Sequence, residues 1–216
     1  MTIKILTFDL WNTLVQNTRE AKKMQDEMGR LLGFKDRGDF WDYCDNHYFS
    51  SKEEFLVFLE KLCKIRNLDR EKSKKVLELW KDIRNRVEIY PDVINVLEQV
   101  KTRYKMAILS NSSKEEGETV LNKFGLKKYF DVIFISCEVG LGKPDPRFFK
   151  LVPEYFGVKP SEICLIGDDY EKDMIPASYL GFKTILIDRQ NKMKKLKDVD
   201  AIINSLDELI DILERW

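Results

Sequence analysis

Two short apolar runs of this chain each end on carboxylates. The first run covers residues 3–8 and is followed by Asp9; the second covers 163–166 and is followed, one glycine later, by Asp168 and Asp169. Both runs have the length and composition of buried β-strands. Ionised carboxylates are costly to bury, whereas the carboxyl ends of parallel strands are where open α/β sheets bind ligands. Acids gathered at such an edge repel one another unless a cation or a proton neutralises them.

The chain from Tyr90 onward alternates helical and strand patterns. Ser113 with Glu116, and Ser205 with Glu208, carry the capping-box signature of a helix start. This alternation predicts an α/β fold in which helices cover both faces of a parallel sheet. The predicted helices cover 92–103, 113–124, 146–156, 173–180 and the residues after 205, and the predicted strands cover 106–109, 132–135, 163–166, 183–187 and 201–203.

Residues 15–88 interrupt the alternation, because they contain no convincing strand pattern. Helices are predicted there over 18–32, 39–49, 51–66 and 69–86, the third starting at a capping box of Ser51 and Glu54. Since the alternation resumes afterwards, the block is predicted to be a helical cap domain inserted after strand 1. The chain then divides into a core of residues 1–14 and 89–216 and a cap domain of residues 15–88.

The composition is that of a globular protein and argues against several kinds of partner. The chain has 216 residues, with 37 Lys and Arg against 37 Asp and Glu. No net field attracts nucleic acid or an anionic membrane, and no apolar stretch approaches the ~20 residues that span a bilayer. Because the first residues enter a strand at once, we expect no signal peptide and a cytoplasmic location. The lysines at 192, 194, 195 and 197 indicate a solvated loop, and no pattern predicts a particular oligomeric state.

Four segments at predicted strand ends carry groups suited to attack on phosphorus. They cover residues 8–14, 110–111, 142–144 and 167–173. A carboxylate nucleophile forms an acyl-phosphate, and hydroxyl and amide donors bind the phosphoryl oxygens. Mg²⁺ prefers a few carboxylates together with water and substrate oxygens. The expected roles are Asp9 as nucleophile, Thr13, Ser110 and Asn111 as phosphate ligands, Lys143 as charge balance, and Asp9 with Asp168 as Mg²⁺ ligands.

The order of these segments resembles the haloacid dehalogenase superfamily of hydrolases, over the whole chain. The segments that carry the resemblance are residues 9–14, Ser110, Lys143 within Gly-Lys-Pro-Asp-Pro, and residues 167–173. It implies a Rossmann-like parallel sheet with a helical cap domain inserted after strand 1. It also implies a Mg²⁺-dependent phosphatase that acts on a small phosphorylated molecule through an aspartyl-phosphate.

The resemblance further assigns roles to individual residues. It makes Asp9 the nucleophile and Lys143 the group that orients it together with the phosphate ligands Thr13 and Ser110. It places the metal on Asp9 and Asp168, with Asp169 and Asp173 in support. The backbone carbonyl of Trp11 would be the remaining protein ligand.

Trp11 departs from the phosphatase pattern, in which a second aspartate at this position serves as general acid and base. An indole cannot transfer a proton at neutral pH, so turnover of poor leaving groups should fall by roughly 10²–10⁴-fold. We expect Trp11 to pack against the cap domain. The dehalogenases of the superfamily carry Tyr at this position and use no metal, so Trp11 also favours a metal-free 2-haloacid dehalogenase. A third alternative is a weakly active or inactive ligand-binding relative.

The acidic residues favour the phosphatase. A metal-free dehalogenase gains nothing from extra carboxylates beside its nucleophile, because each would repel a carboxylate substrate. Dehalogenases also use an early cap arginine, for which Arg19 and Arg37 are candidates. Aromatic residues crowd one part of the cap domain, where we expect them to form its own small core. The alternative is that one or two of them face the site and select an apolar or aromatic leaving group. These aromatic residues are Phe40, Trp41, Tyr43, Tyr48 and Phe49.

Overall fold

A computed structural model describes residues 2–192 and 196–216 of the chain. Lys194 and Lys195, half of the predicted lysine-rich loop, lie outside the described residues. The elements, in chain order, are β1 (Ile5–Phe8), β2 (Val15–Asn17), α1 (Arg19–Leu31), α2 (Arg37–His47), α3 (Phe55–Ile65), α4 (Arg70–Ile83), β3 (Val87–Ile89), α5 (Val93–Val100), β4 (Lys105–Ser110), α6 (Lys114–Lys123), β5 (Val132–Ile135), α7 (Ser136–Val139), α8 (Pro146–Phe156), β6 (Ile163–Gly167), α9 (Ile175–Tyr179), β7 (Lys183–Ile187), β8 (Ala201–Ile203) and α10 (Leu209–Glu214).

Six of these strands form one parallel sheet in the order β5-β4-β1-β6-β7-β8, which confirms the predicted α/β Rossmann-like core. Strand β1 lies at the centre, and Phe8 at its end is in register with Ile108 of β4 and Ile166 of β6. The chain builds outward from β1 to one side and then to the other. Such a switch point leaves a crevice at the carboxyl ends of the central strands.

Alternate residues of the strands enter two separate apolar clusters, one on each face of the sheet. Leu6 and Phe8 face the cluster that α5, α6 and α10 cover, whereas Ile5 faces the cluster formed with α8 and α9. Both faces are therefore buried, which explains why the strands are continuous apolar runs rather than alternating ones.

The cap domain has a third apolar cluster, to which α1, α2, α3 and α4 all contribute. Its helices agree with the predicted ones to within a few residues, except for the start of α3. That helix begins at Phe55 after Glu54, whose side chain makes no capping bond, and Ser51 instead accepts a hydrogen bond from the Glu53 amide. The capping box predicted for Ser51 and Glu54 was therefore wrong.

The prediction that residues 15–88 contain no strand was also wrong. Strands β2 and β3 pair antiparallel where the chain enters and leaves the cap domain, with Asn17 opposite Val87. Val15 and Val87 are buried in an apolar cluster of the parallel sheet. This two-stranded ribbon therefore packs against the part of the chain that forms that sheet, which we call the sheet domain. Each strand has three residues, too few for a period-2 pattern to stand out from its neighbours.

The helix starts at Ser113 and Ser205 are confirmed, because both capping boxes are present. The helix predicted over 173–180 differs: a wider π-helical turn covers Tyr170–Met174, and α9 follows it. Among the described residues, no helix is both long enough and apolar enough to cross a membrane.

Candidate active site

Asp9 directly follows β1, and the sheet itself holds its backbone. Its amide donates to the Ile166 carbonyl of β6 at 2.8 Å, which extends the ladder to the carboxylate. The chain then turns sharply through Asn12, whose φ of 57° lies in the left-handed region that Asn tolerates. The Asp9 side chain is buried, at 5% exposure, although carboxylates are seldom buried without a partner.

Lys143 supplies that partner. Its Nζ donates to Asp9 Oδ1 at 2.6 Å and to Asp173 Oδ1 at 2.7 Å, and all three side chains are buried. Burial alone would lower the pKa of Lys143, but Asp173 and Asp9 outweigh that effect and raise it. The ammonium is therefore charged throughout the physiological pH range and holds two carboxylates side by side.

One cation does not balance the acids at this edge. Oxygen atoms of Asp9, Asp168 and Asp173 all lie within 4.8 Å of one another, and we call these three residues the acidic cluster. Burial and then the neighbouring Asp9 and Asp173 raise the pKa of Asp168 well above its ordinary value. Burial raises the pKa of Asp173 to about 6, even though Lys143 opposes the shift. The cluster carries an excess of negative charge that a further cation or a proton would relieve.

Gly167 makes room for the cluster. A Cβ atom on this residue would lie 2.5 Å from Asp173 Oδ2 and 2.7 Å from its carboxyl carbon, so no side chain fits without moving Asp173. The glycine between β6 and the acids is therefore a steric requirement of the site rather than a turn residue.

Asp169, predicted to support the metal, and Asn111, predicted as a phosphate ligand, have other contacts. Asp169 caps the helical turn that follows, because its carboxylate accepts from the Glu171 and Lys172 amides at 2.9 Å each. The Asn111 amide group clasps the Lys143 backbone, accepting from its N–H at 2.7 Å and donating to its carbonyl at 2.8 Å. The Asn111 Nδ2 group also donates to Asp45 Oδ1. With its donor hydrogens engaged, the Asn111 side chain positions Lys143.

Ser110 is the last residue of β4, whereas Thr13 lies in the turn between β1 and β2. Both residues are fully buried, and neither hydroxyl has a hydrogen-bond partner among the described residues. Asp9 Oδ2 is likewise buried and unpartnered. A buried polar atom without a partner costs about 1–3 kcal/mol. Unpartnered polar atoms of this kind favour a polar ligand, but of these three residues only Asp9 lines the cavity described next.

A cavity of about 240 Å³ opens above the acidic cluster, between the sheet domain and the cap domain. Two aromatic residues of the cap domain, Trp41 and Phe49, line it with their rings stacked 6.1 Å apart. Phe40 and Tyr48 are buried in the apolar cluster of the cap domain. Some of the aromatic residues thus form the core of the cap domain, and others face the cavity. The residues that line the cavity are Asp9, Trp11, Asn12, Asn17, Trp41, Asp45, Phe49, Asn111, Glu116, Lys143, Asp168, Asp169, Lys172 and Asp173.

Neither of the two arginines proposed as carboxylate-binding residues lines this cavity, although Arg37 lines a neighbouring one that shares Trp41 and Asp168 with it. Arg19 and Arg37 are exposed, and Arg37 pairs with Asp26 at 3.1 Å. No arginine is among the described residues that line the cavity.

Trp11 lines the cavity but does not pack as predicted. Its indole lies against the apolar cluster of the sheet domain rather than that of the cap domain, and Nε1 donates to Ser112 Oγ at 3.3 Å. The indole N–H is thus directed into the core.

Sequence reasoning missed Asn17 and three charged residues of the cavity. Asp45 and Lys172 form an ion pair that joins α2 of the cap domain to the turn after β6. We call this contact the latch. Glu116, which the sequence marks only as part of a capping box, is the third. No sequence pattern marks Asp45, Lys172 or Glu116 as a cavity residue, because the cavity exists only when the cap domain is placed over the sheet.

These features, an aspartate directly after β1, a buried Lys between two Asp residues and a helical insertion, can be compared with known proteins. A sequence model of the haloacid dehalogenase-like hydrolases matches residues 3–181. The chain belongs to this family of hydrolases.

Relatives of two activities are found. The phosphoserine phosphatase of Thermus thermophilus is 33% identical over 120 residues, 55% of this chain and 48% of that protein. The (S)-2-haloacid dehalogenase 4A of Burkholderia cepacia is 28% identical over 99% of this chain and 96% of its own. A crystal structure of a phosphatase of this family from Thermococcus onnurineus superposes with a TM-score of 0.68 and 26% identity, covering 98% of each chain. The chain thus spans about half the length of the Thermus relative.

Proposed function

We propose that this protein is a Mg²⁺-dependent phosphatase that hydrolyses a small phosphorylated metabolite through an aspartyl-phosphate on Asp9. The observation that carries the proposal is Asp168, a third carboxylate beside Asp9 that Lys143 does not neutralise. A metal-free hydrolase has no use for this residue, because it destabilises the ionised Asp9 and repels an anionic substrate.

The residues of the site fit Mg²⁺. Asp9 Oδ2 is a buried oxygen without a partner, and Asp168 contributes a second carboxylate. Asp173 has its oxygens engaged by the Lys143 ammonium and the Asp169 amide, so it would support the metal through Lys143. Asp9, Asp168 and the Trp11 carbonyl are thus the proposed ligands, of hard oxygen type. When bound, Mg²⁺ would neutralise the cluster and draw electron density from the phosphoryl oxygens.

The protein's own groups supply the remaining steps. Lys143 donates a hydrogen bond to Asp9 Oδ1 and fixes the carboxylate in place for attack on phosphorus. The unpartnered hydroxyls of Thr13 and Ser110 are donors for phosphoryl oxygens. Closure of the cap domain over the cavity would exclude water from the covalent step.

The cavity supports a small substrate. Its volume of about 240 Å³ holds a phosphoryl group and a compact leaving group, against the stacked rings of Trp41 and Phe49. The similarity to a phosphoserine phosphatase of Thermus thermophilus is consistent with a substrate of this size.

A metal-free 2-haloacid dehalogenase is the second candidate. The aromatic side chain of Trp11 favours it, as does the similarity to the Burkholderia cepacia dehalogenase along nearly the whole chain. A weakly active or inactive ligand-binding relative is the third, because Trp11 removes the usual proton donor.

Parallel assays separate the three candidates. Phosphate release from a panel of phosphomonoesters is measured with and without Mg²⁺, beside chloride release from a 2-chloroacid. The proposal expects metal-dependent phosphate release that Asp9→Asn abolishes and Asp168→Asn impairs. Chloride release that survives Asp168→Asn would establish the dehalogenase, and binding of phosphate without turnover would establish the inactive relative.

A further inference from the structure

Glu116 is a buried carboxylate in the cavity that the proposed reaction does not use. It lies in the first turn of α6, is 7% exposed and lines the same cavity as Asp9 and Trp11. The other acids of the cavity have contacts or a proposed role: Asp45 pairs with Lys172, and Asp169 accepts from backbone amides. Asp9 and Asp173 pair with Lys143, and Asp168 is a proposed metal ligand. Among the described residues, Glu116 forms no ion pair.

Helix capping occupies only one of its two oxygens. Glu116 Oε2 accepts from the Ser113 hydroxyl at 3.1 Å and from the Ser113 amide at 3.4 Å. Oε1 accepts no hydrogen bond from the described part of the chain. An amide side chain would cap the helix equally well, since the capping box accepts Gln as readily as Glu. The ionisable group is therefore not required by the capping role.

Glu116 and Trp11, the residue at the position that lacks a proton donor, line the same cavity. The Trp11 indole donates to Ser112 Oγ, and the next residue, Ser113, holds Glu116. The loop after β4 thus connects the two side chains along one wall of the cavity.

We propose that Glu116 is the general acid and base of the hydrolysis, in place of the proton donor that Trp11 removes. This inference rests on the proposed phosphatase function. In the first step, Asp9 forms a bond to phosphorus, the bond from phosphorus to the leaving oxygen breaks, and protonated Glu116 gives its proton to that oxygen. In the second step, water attacks phosphorus, the Asp9–phosphorus bond breaks, and the Glu116 carboxylate takes the water's proton. Products are the alcohol, inorganic phosphate and the starting forms of Asp9 and Glu116.

The surroundings of Glu116 suit this role. Burial raises its pKa to about 7, against hydrogen bonds from Ser113 that lower it. The ionisable groups that face it are Cys44 and Tyr48 of the cap domain, Cys137 of α7, and Glu115 on its own helix. None is a cation, so nothing nearby holds the carboxyl ionised. A group with a pKa near the working pH is the most effective proton donor and acceptor.

The leaving group provides the test. Ethyl phosphate needs a proton on its departing oxygen, whereas p-nitrophenyl phosphate does not. With Mg²⁺ present, Glu116→Gln should lower kcat/KM for ethyl phosphate by roughly 10²-fold and change that for p-nitrophenyl phosphate by less than about threefold. The alkaline limb of the pH profile for ethyl phosphate should disappear in this variant. Glu115→Gln, which removes a carboxylate one residue away that does not line the cavity, is the matched control.

Each other outcome has a defined meaning. Equal losses on both substrates, or an unchanged pH profile, would assign Glu116 a purely structural role and overturn the inference. Thermal unfolding of each variant checks that the fold persists. A separate variant, Glu116→Asp, should retain part of the activity on ethyl phosphate that Glu116→Gln loses, because it keeps a carboxyl group. Absence of phosphate release from both substrates in the unsubstituted protein would instead reject the phosphatase function itself.

Discussion

Lys143 Nζ donates a 2.7 Å hydrogen bond to Asp173 Oδ1, and both side chains are buried beside the nucleophile. Removing the cation leaves Asp9 and Asp173 charged and unpaired, which costs about 3–5 kcal/mol for a buried pair. Lys143→Met should therefore abolish turnover and lower the free energy of unfolding by that order, measured by guanidinium denaturation. Lys150→Met, the loss of an exposed lysine, is the control.

The double variant Lys143→Met with Asp173→Asn should regain part of the stability but none of the activity; an additive loss of stability would contradict this.

Gly167→Ala should impair the reaction more than it impairs folding. The new Cβ would push against Asp173 Oδ2 at 2.5 Å and so displace the Lys143 that Asp173 holds. Gly157→Ala is the matched control: its φ of 64° strains an alanine by about 1 kcal/mol, but no atom lies within 4 Å of the added carbon. When the two variants are compared at the same loss of melting temperature, Gly157→Ala should keep the turnover number of the unsubstituted protein. The turnover number of Gly167→Ala should fall at least about tenfold. Equal activities would refute the steric role.

Mg²⁺ should raise the melting temperature, and more so at pH 8 than at pH 5. The pKa values of Asp168 and Asp173 are raised by burial and by neighbouring carboxylates, so protons compete with the metal at low pH. A ligand at 100 times its dissociation constant adds about 2.7 kcal/mol to the free energy of unfolding. Asp168→Asn should remove the effect, whereas Asp211→Asn on the exposed face of α10 should not. A Mg²⁺ shift that survives Asp168→Asn would place the ion elsewhere.

Opening the latch should weaken substrate binding. Asp45, with a side chain 16% exposed, contacts both Lys172 and Asn111, which in turn clasps the Lys143 backbone. Asp45→Asn should raise KM several-fold and make the β2–β3 ribbon more susceptible to proteolysis. Asp42→Asn on the same helix is the control, because Asp42 lies 3.6 Å from Lys172 with a side chain 72% exposed, and such pairs contribute little. Indistinguishable variants would argue against a closing role for Asp45.

The stability of the metal-free protein should fall as pH rises from about 4.5 to about 7. Burial raises the pKa of Glu116 from 4.5 to about 7, so in this window the folded state binds a proton that the unfolded state releases. The contribution of Glu116 is fully present below pH 4.5 and is lost above pH 7, by up to about 3 kcal/mol. Glu116→Gln should flatten this part of the stability curve, followed as melting temperature against pH. Parallel curves for the two proteins would show that Glu116 titrates normally.

Most of the sheet could be predicted from the sequence, because strands buried on both faces are apolar runs and the helices between them carry capping signals such as that of Ser113 and Glu116. The end of β1 also placed Asp9 correctly on the carboxyl edge. Residues whose role depends on distant parts of the chain were missed. Nothing near Asp45 in sequence indicates Lys172, 127 residues away. The sequence suggests a phosphate ligand at Asn111, but its amide group contacts the Lys143 backbone. Trp11 was predicted to pack against the cap domain and instead packs against the apolar cluster of the sheet.

The ribbon of β2 and β3 also determines how easily the cap domain can be separated from the rest of the chain. Asn17 and Val87 are opposite each other in an antiparallel pair, so the chain leaves and returns through adjacent positions. Two residues in a tight turn can join such a pair. Residues 18–86 could thus be exchanged for a hairpin, or for the insertion of a relative, without rerouting the strands that carry the nucleophile and the lysine.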